Sequence, residues 1–320
     1  MSAPLRIALA GLGTVGTGVI RLIEENGAMI SQRAGRAIEV ATVTARDRTR
    51  NRGVDLSRYK WSDSLGDLAS DADIDTVVEM IGGSEGPALD LARQSLTAGK
   101  SFVTANKAMI AHHGMELAVL AEKNDVSVKY EAAVAGGIPV IKGLREGASA
   151  NRIERVYGIL NGTCNYILTT MEKHGSDFDA TLKEAQELGY AEADPGFDID
   201  GVDAAHKLAI LASLSFGNAL DFDGVETAGI RNIMAADIGQ AKALGYRIRL
   251  LGMARLDDGK LFQRVNPYLV PEGHPLAHIK GPTNAVVAEG NFSGRLMFQG
   301  AGAGDGPTAS AVVADLIDIA

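Results

Sequence analysis

Arg6-Ile7-Ala8-Leu9-Ala10-Gly11-Leu12-Gly13-Thr14-Val15-Gly16 decides the fold. The apolar run after Arg6 enters three glycines spaced G-x-G-x-x-G. Apolar residues then recur at helical spacing through Val15, Val19, Leu22 and Ile23. The reading is a buried strand, a tight turn and a helix over 14–26. The first glycine makes the turn, the second lets a pyrophosphate approach the backbone, and the third lets helix and strand pack closely. The helix N-terminus then faces the phosphates.

Outward from this unit, strands are expected over 38–44, 75–80, 102–104 and 126–130, and helices over 87–98 and 114–124. Pro87 falls in a first helical turn, where its missing N–H does no harm. This alternation predicts a parallel sheet with helices on both faces. After about residue 131 the pattern changes. A strand over 153–160 precedes helices near 164–173, 179–188 and 202–215. Strands over 246–256 and 261–269 flank Asp257-Asp258-Gly259-Lys260, a hairpin turn. Strands over 283–288 and 295–299 flank Glu289-Gly290-Asn291, a second hairpin, and a helix is expected over 308–319. The fold class is therefore α/β: a Rossmann-type parallel-sheet domain plus a second α+β domain with a mixed or antiparallel sheet.

Composition narrows the function. The chain has 320 residues, 46% hydrophobic and 22% charged, enough for two cores. A net charge of -9 argues against nucleic acid or an anionic membrane as partner. The longest charge-free stretch, 156–171, is too short and too polar to span a bilayer. The apolar run within residues 1–12 reads as a strand, because no cleavage-like site follows it. A single cysteine, Cys164, rules out an intrachain disulfide and fits a reducing, cytoplasmic setting.

Cofactor choice is read after the second strand, where an acid would bind the ribose 2′-hydroxyl. The chain offers Thr44-Ala45-Arg46-Asp47-Arg48, then Arg50 and Arg52. Arg46 and Arg48 suit a 2′-phosphate, so the lean is to NADP, while Asp47 keeps NAD open and a solvated basic loop is the alternative.

Two lysines stand out. Lys107 follows Thr104-Ala105-Asn106 just beyond a parallel strand, where open α/β sheets place ligands. Lys207 closes a segment carrying Glu192, Asp194, Asp198, Asp200 and Asp203. Asp200, Asp203 and Lys207 are spaced to share one helix face. Asp203 and Lys207 are also spaced as an ordinary surface ion pair, but the crowd of acids and the apolar opposite face (Leu208, Ile210, Leu211) favour a site.

The glycine-rich turn, Thr104-Ala105-Asn106-Lys107, Tyr130-Glu131-Ala132, Gly158-Ile159-Leu160-Asn161-Gly162-Thr163-Cys164-Asn165-Tyr166-Ile167-Leu168, the 192–207 segment and Gly300-Ala301-Gly302-Ala303-Gly304 with Pro307-Thr308-Ala309-Ser310 resemble homoserine dehydrogenase. The match is in order over nearly the whole chain. The resemblance implies reversible NAD(P)-dependent interconversion of L-homoserine and L-aspartate 4-semialdehyde, on the route to threonine and methionine, by a homodimer paired through the second domain. It implies a dinucleotide-binding domain over 1–131, a catalytic and dimerisation domain over 132–299 and a helix over 300–320 returning to the first. Many bacterial members carry a regulatory ACT domain beyond this point. This chain stops at Ala320, which leaves a short form or a shortened chain as alternatives.

By similarity, Lys207 is the general acid/base and Lys107 binds substrate and assists proton transfer. Glu192 and Asp203, with Asp198, hold the substrate. A lysine accepts a proton only when neutral, and a second cation nearby with partial burial disfavours its charged form. Asp203 would oppose this if it touched Lys207, so it is better used on the substrate ammonium. Gly11, Gly13, Thr14, Val15, Gly16, Arg46, Arg48, Gly82, Lys107, Gly189 and Gly302 are the expected nucleotide contacts. Glu131, Val134, Gly136 and Ile138 resemble the family's monovalent-cation loop, one carboxylate plus backbone carbonyls, suited to a hard, sodium-like ion. The residues alone favour a strand end turning through Ala135-Gly136-Gly137.

Two rival readings remain. Phosphorylating semialdehyde dehydrogenases use a thiolate, and Cys164 opens a helix, where a thiolate is favoured; a small packed residue is the alternative. A dinucleotide-sensing protein without chemistry would not need the lysine and carboxylate set. His274 and His278 lack a third ligand for zinc. His112-His113 is expected to cap or end a short helix, and His206 to be structural.

Overall fold

The computed structural model describes residues 3–320, so the first two positions of the N-terminal run lie outside the described residues. Two compact units are present: residues up to Gly137 with Ala303–Ala320, and Ile138–Gly302. These limits differ by a few residues from the expected 131 and 299.

The first unit runs β1 (Leu5–Ala10), α1 (Thr14–Ala34), β2 (Ile38–Thr44), β3 (Lys60–Trp61), α2 (Leu65–Ser70), β4 (Thr76–Glu79), α3 (Pro87–Thr97), β5 (Ser101–Thr104), α4 (Lys107–Lys123) and β6 (Val128–Lys129). Its six strands are all parallel, in the order β3-β2-β1-β4-β5-β6. The order reverses between β1 and β4, the switch point at which such sheets bind ligands beyond their C-terminal ends. Leu5, Ile7 and Leu9 of β1, with Val78 and Val103, pack on one face of the sheet, and Ala8, Ala10 and Val77 are buried on the other, as parallel strands require.

Helix α4 begins at Lys107, seven residues before the expected start at 114. The Asn106 side chain accepts the Met109 N–H at 3.1 Å and so supplies the cap that starts the helix early. Gly114 is tolerated inside. His112 and His113 consequently lie within the helix and end nothing, contrary to the expectation.

The second unit carries α5 (Val140–Lys142), β7 (Ile153–Ile159), α6 (Gly162–His174), α7 (Phe178–Glu187), α8 (Gly196–Ile199), α9 (Val202–Phe216), β8 (Val225–Thr227), α10 (Ala235–Ala243), β9 (Tyr246–Asp257), β10 (Lys260–Pro271), β11 (Thr283–Gly290) and β12 (Gly294–Ala301). The sheet order is β12-β11-β7-β9-β10-β8, antiparallel except for the β10–β8 pair. The β9–β10 hairpin turns through Asp258 and Gly259, both at positive φ (48° and 79°), which matches the twist of the flanking strands. Helix α9 packs against β7, β9 and β10, and its residues from Asp203 to Ala212 are all buried. The final helix, α11 (Asp305–Ile319), belongs to the first unit and packs along α1, with Val312 and Leu316 in that core.

Asp200 is not on the helix of Asp203 and Lys207. It ends α8, and Gly201 (φ 88°) turns the chain before α9 starts. Asp200 instead pairs with Arg231.

Candidate active site

At the C-terminal end of the parallel sheet lies a cavity of about 570 Å³, lined by Gly11, Gly13, Arg46, Arg50, Arg52 and Ile81 among others. Gly11 sits at φ 103°, and a side chain there would run into the Met80 carbonyl. Gly16 faces the Gly11 carbonyl, so a Cβ at this position would separate helix from turn. Gly13 borders open space. Thr14 and Val15 form the first turn of α1, which has neither a side-chain cap nor an acid, so its N–H groups and dipole are available to an anion. The cavity, its arginines and this helix end together fit a dinucleotide.

The arginines divide. Arg46 lines the cavity, but Arg48 does not: its guanidinium lies over Trp61, 5.7 Å from the ring centroid. Arg52, which the sequence reading left unassigned, ties the loop to the glycine turn. Its Nε donates to the Leu12 carbonyl at 3.0 Å and its Nη1 to the Arg50 carbonyl at 2.9 Å, and Nη2 reaches the Asp47 carbonyl. The Asp47 carboxylate accepts from the Thr49 hydroxyl and N–H at 2.7 and 2.8 Å, and these bonds lower its pKa.

Glu79, at the end of β4, is fully buried. One oxygen accepts the Ile81 and Gly82 N–H groups at 2.5 and 2.8 Å; the other accepts the Thr104 hydroxyl at 2.6 Å. Thr104 in turn accepts the Asn106 N–H at 2.9 Å, and the Asn106 amide donates to the Gly83 carbonyl at 2.6 Å. This network shapes the turn holding Gly82 and fixes the chain just before Lys107. No motif signalled it.

In the second unit, the Lys207 ammonium donates to Asp203 at 2.7 Å and to the Leu160 carbonyl at 2.8 Å. Asp203 does touch Lys207, which the sequence reading had set against its use. Asn161, unassigned in the sequence reading, donates from one amide nitrogen to Asp198 and Asp203, both at 2.8 Å. Its oxygen accepts the Cys164 N–H at 2.8 Å and caps α6. The Leu160 carbonyl also accepts from Asn284 at 3.0 Å, and Gly302 packs against the Asn284 amide so tightly that a Cβ would strike it. Lys207, Asp203, Asp198 and Asn161 are thus one cluster, drawn from α6, α8 and α9.

Glu192 lies on the exposed connection between α7 and α8, outside that cluster. Its carbonyl accepts from Gln186 at 2.9 Å. Gly189, at φ 78°, turns the chain after α7. Glu131 is buried at the start of a short turn over Glu131–Ala133; its N–H donates to Asp315 at 2.8 Å. Val134 is buried, and Ala135 and Gly136 follow at φ 58° and 54°; Ile138 opens the second unit. Cys164 is fully buried, and burial pushes its thiol well above the ordinary range, with Asp198 and Asp203 adding to the effect. A helix N-terminus does not offset that desolvation, so the thiolate reading loses its basis. His206 stacks on Phe222 at 4.2 Å between ring centroids. Among the described residues no His/Cys/Asp/Glu cluster is placed to hold a metal, and no helix is long and apolar enough to cross a membrane.

A glycine-turn dinucleotide fold joined to a unit with a buried lysine–carboxylate cluster defines an NAD(P)-dependent oxidoreductase. The homoserine dehydrogenase profile matches residues 139–317, and the homoserine dehydrogenase NAD-binding-domain profile matches residues 11–131. The homoserine dehydrogenase of Pseudomonas aeruginosa is 49% identical over 99% of this chain and 72% of its own length. A crystal structure of the enzyme from Thiobacillus denitrificans, 47% identical, superposes with a TM-score of 0.96 over 99% of this chain and 73% of that one. A hyperthermophilic archaeal homoserine dehydrogenase in complex with NADPH, 29% identical, has a TM-score of 0.84 over 99% and 98% of the two chains. The chain belongs to the homoserine dehydrogenase family, NAD(P)-dependent oxidoreductases that act on the homoserine hydroxyl.

Proposed function

We propose that Lys207 is the general acid/base of this homoserine dehydrogenase. The observation that carries this is its placement: a buried ammonium held by one carboxylate and one carbonyl, with a second carboxylate, Asp198, bridged to the first. In the reductive direction the Lys207 ammonium gives its proton to the carbonyl oxygen as hydride arrives at the carbon; in the oxidative direction Lys207 works in its neutral form, taking the alcohol proton while the carbinol hydrogen leaves as hydride. Bound NAD(P) supplies the hydride acceptor; the chain positions the substrate and moves the proton. Asp203, Asp198 and Glu192 take the substrate ammonium, and Asp203 holds the lysine until substrate arrives. Lys107, at the start of α4, binds substrate and assists proton transfer. The deciding experiment is Lys207→Ala: kcat falls by about 10²–10⁴ while cofactor Kd stays put. Near-normal turnover by the folded variant would remove Lys207 from the mechanism.

NADP is the proposed physiological cofactor, supported by Arg46 and Arg50 on the cavity wall. The nucleotide contacts are Gly11, Gly13, Thr14, Val15, Gly16, Gly82, Lys107, Gly189 and Gly302 with Arg46; Arg48 is retained only as a support of Trp61. A sodium-like ion on Glu131 and the carbonyls of Val134, Gly136 and Ile138 is part of the same proposal, because a buried carboxylate with carbonyl oxygens suits a hard cation. The working form is a cytoplasmic homodimer.

A further inference from the structure

We propose that Asn161 is a positioning residue for the reaction, the neutral bridge that lets two carboxylates, Asp198 and Asp203, stand ionised side by side next to Lys207. The inference rests on the proposed role of Lys207 and goes beyond it to a residue with no assigned part.

The chemistry of the bridge is specific. Two carboxylates sharing a buried site oppose each other's ionisation, and one of them takes up a proton more readily than an isolated acid. Hydrogen bonds donated to the charged form reverse that effect. An amide NH₂ offers two donors at a fixed angle and no charge of its own. Asn161 spends both, one on each acid, at equal 2.8 Å distances. A lysine in its place would add a cation beside Lys207, and an acid would add a third negative charge.

The bridge is held from behind. The Asn161 oxygen is committed to the Cys164 N–H, so the amide cannot rotate without uncapping α6. Asn161 is 4% exposed, as is Asp203, so water does not easily replace the bond between them, while Asp198 is half-buried. The neighbouring Leu160 carbonyl holds Lys207, so one backbone turn sets both the lysine and the acids. The other ionisable groups nearby are the Cys164 thiol, which burial keeps protonated, and Asp200, which is engaged by Arg231. Asn161 therefore sets where the acids point and the pH at which they stay charged.

The test uses the full chain and the reduction of L-aspartate 4-semialdehyde, followed as kcat/KM against pH; Lys207 acts there in its protonated form, so the acid limb reports the carboxylates. Asn161→Ser is the informative variant, since serine caps a helix equally well but cannot bridge two acids. Its kcat/KM falls at least tenfold, chiefly through KM, and the acid limb of the profile moves up by about one pH unit. Asn161→Asp moves the same limb further and loses more activity. NADPH Kd, read by fluorescence quenching, changes less than twofold in both. A folded Asn161→Ser enzyme with a wild-type acid limb and wild-type KM overturns the proposal, whatever its thermal stability; Asn161 is then only a helix cap. If Asn161→Ser does not fold, Asn161→Asp, which keeps the capping oxygen, is judged by the same limb. Lys207→Ala separates the two readings. Loss of turnover there with an unmoved Asn161 profile sinks the bridge alone, and retained turnover sinks both.

Discussion

The Thr104 hydroxyl donates to Glu79 at 2.6 Å, joining the ends of two adjacent parallel strands beneath the cofactor turn. Through this bond one buried carboxylate holds two chain segments in place. The Ile81-Gly82 N–H groups turn around one oxygen, and the Thr104–Asn106 stretch that starts the Lys107 helix hangs from the other. Glu79→Gln keeps the shape but turns one acceptor into a donor facing donors. A buried bond to a charged group contributes about 1.5–3 kcal/mol, and an unsatisfied partner costs a similar amount. The expected outcome is a loss of about 2–4 kcal/mol in chemical denaturation, with a several-fold weaker NADPH Kd. A variant with wild-type stability and affinity would show the network to be incidental.

Why was this network unreadable in the sequence while the glycine turn was plain? The turn's three glycines answer local demands, a positive φ and two close approaches, and those are written at fixed spacing. Glu79 closes what looks like an ordinary apolar strand, and one of its partners, Thr104, comes from a different strand 25 residues away. The same holds at the second site. Asp203 and Lys207 are four apart on a helix, so their pairing was one of the options visible from spacing. Asn161 meets them only because β7 ends beside α9. The early start of α4 has a local cause: Asn106, within the Thr104–Lys107 motif, caps the helix with its side chain. Arg48 is a contact of the same non-local kind as the one Asn161 makes, since nothing in the loop's spacing signals that its guanidinium lies over Trp61.

Cys164 gives a clean negative prediction. Its thiol is buried and pushed up, and its sulfur donates to the Asp198 carbonyl at 3.2 Å. Serine can make the same bond with little change in volume. Cys164→Ser should keep more than about a third of wild-type kcat, because only the cost of a buried polar exchange applies. Alkylating reagents should leave the native enzyme active. Abolished turnover in a folded Cys164→Ser variant would restore the thiolate chemistry.

The arginine loop predicts a division of labour. Arg46 lines the cavity, so Arg46→Ala should weaken NADP by about tenfold or more and NAD little, as expected for a charge-assisted bond worth roughly 1.5–3 kcal/mol. Arg48→Ala should leave the NADP-to-NAD affinity ratio unchanged, because its guanidinium is spent on Trp61. Arg52→Ala should weaken both cofactors together, since it frees the loop from the Leu12 carbonyl without removing a phosphate contact. The measurement is Kd for each cofactor at two salt concentrations. Only the Arg46 effect should shrink for NADP as salt rises. A ratio indifferent to Arg46 would return cofactor choice to Asp47 and the backbone.

The last prediction concerns acid stability in the second unit. Glu289 on β11 accepts from Arg155 at 2.5 Å, from the Tyr157 hydroxyl at 2.9 Å and from Arg295 at 3.2 Å, so it laces β7, β11 and β12 together. Burial opposes its ionisation, but the bonds from Arg155, Tyr157 and Arg295 outweigh burial and hold its carboxyl below the ordinary range. A carboxyl depressed in the folded state stabilises above its unfolded value, and that stability is lost as pH falls through the folded value. Tyr157 behaves oppositely. Burial first, and the Glu289 bond second, raise it to about 12, so its contribution is present below the ordinary tyrosine value and is lost as pH climbs towards the raised one. Glu289→Gln should therefore lower Tm by a few degrees at pH 7, corresponding to about 1–2 kcal/mol for a part-exposed network. The gap between wild type and variant should close as pH falls below the ordinary glutamate value and through the depressed one of Glu289, where the wild-type carboxyl is neutralised as well. Thermal denaturation from pH 3 to 7 reads this directly. A gap that stays constant across that range would mean that shape alone, and not the charge on Glu289, binds the three strands.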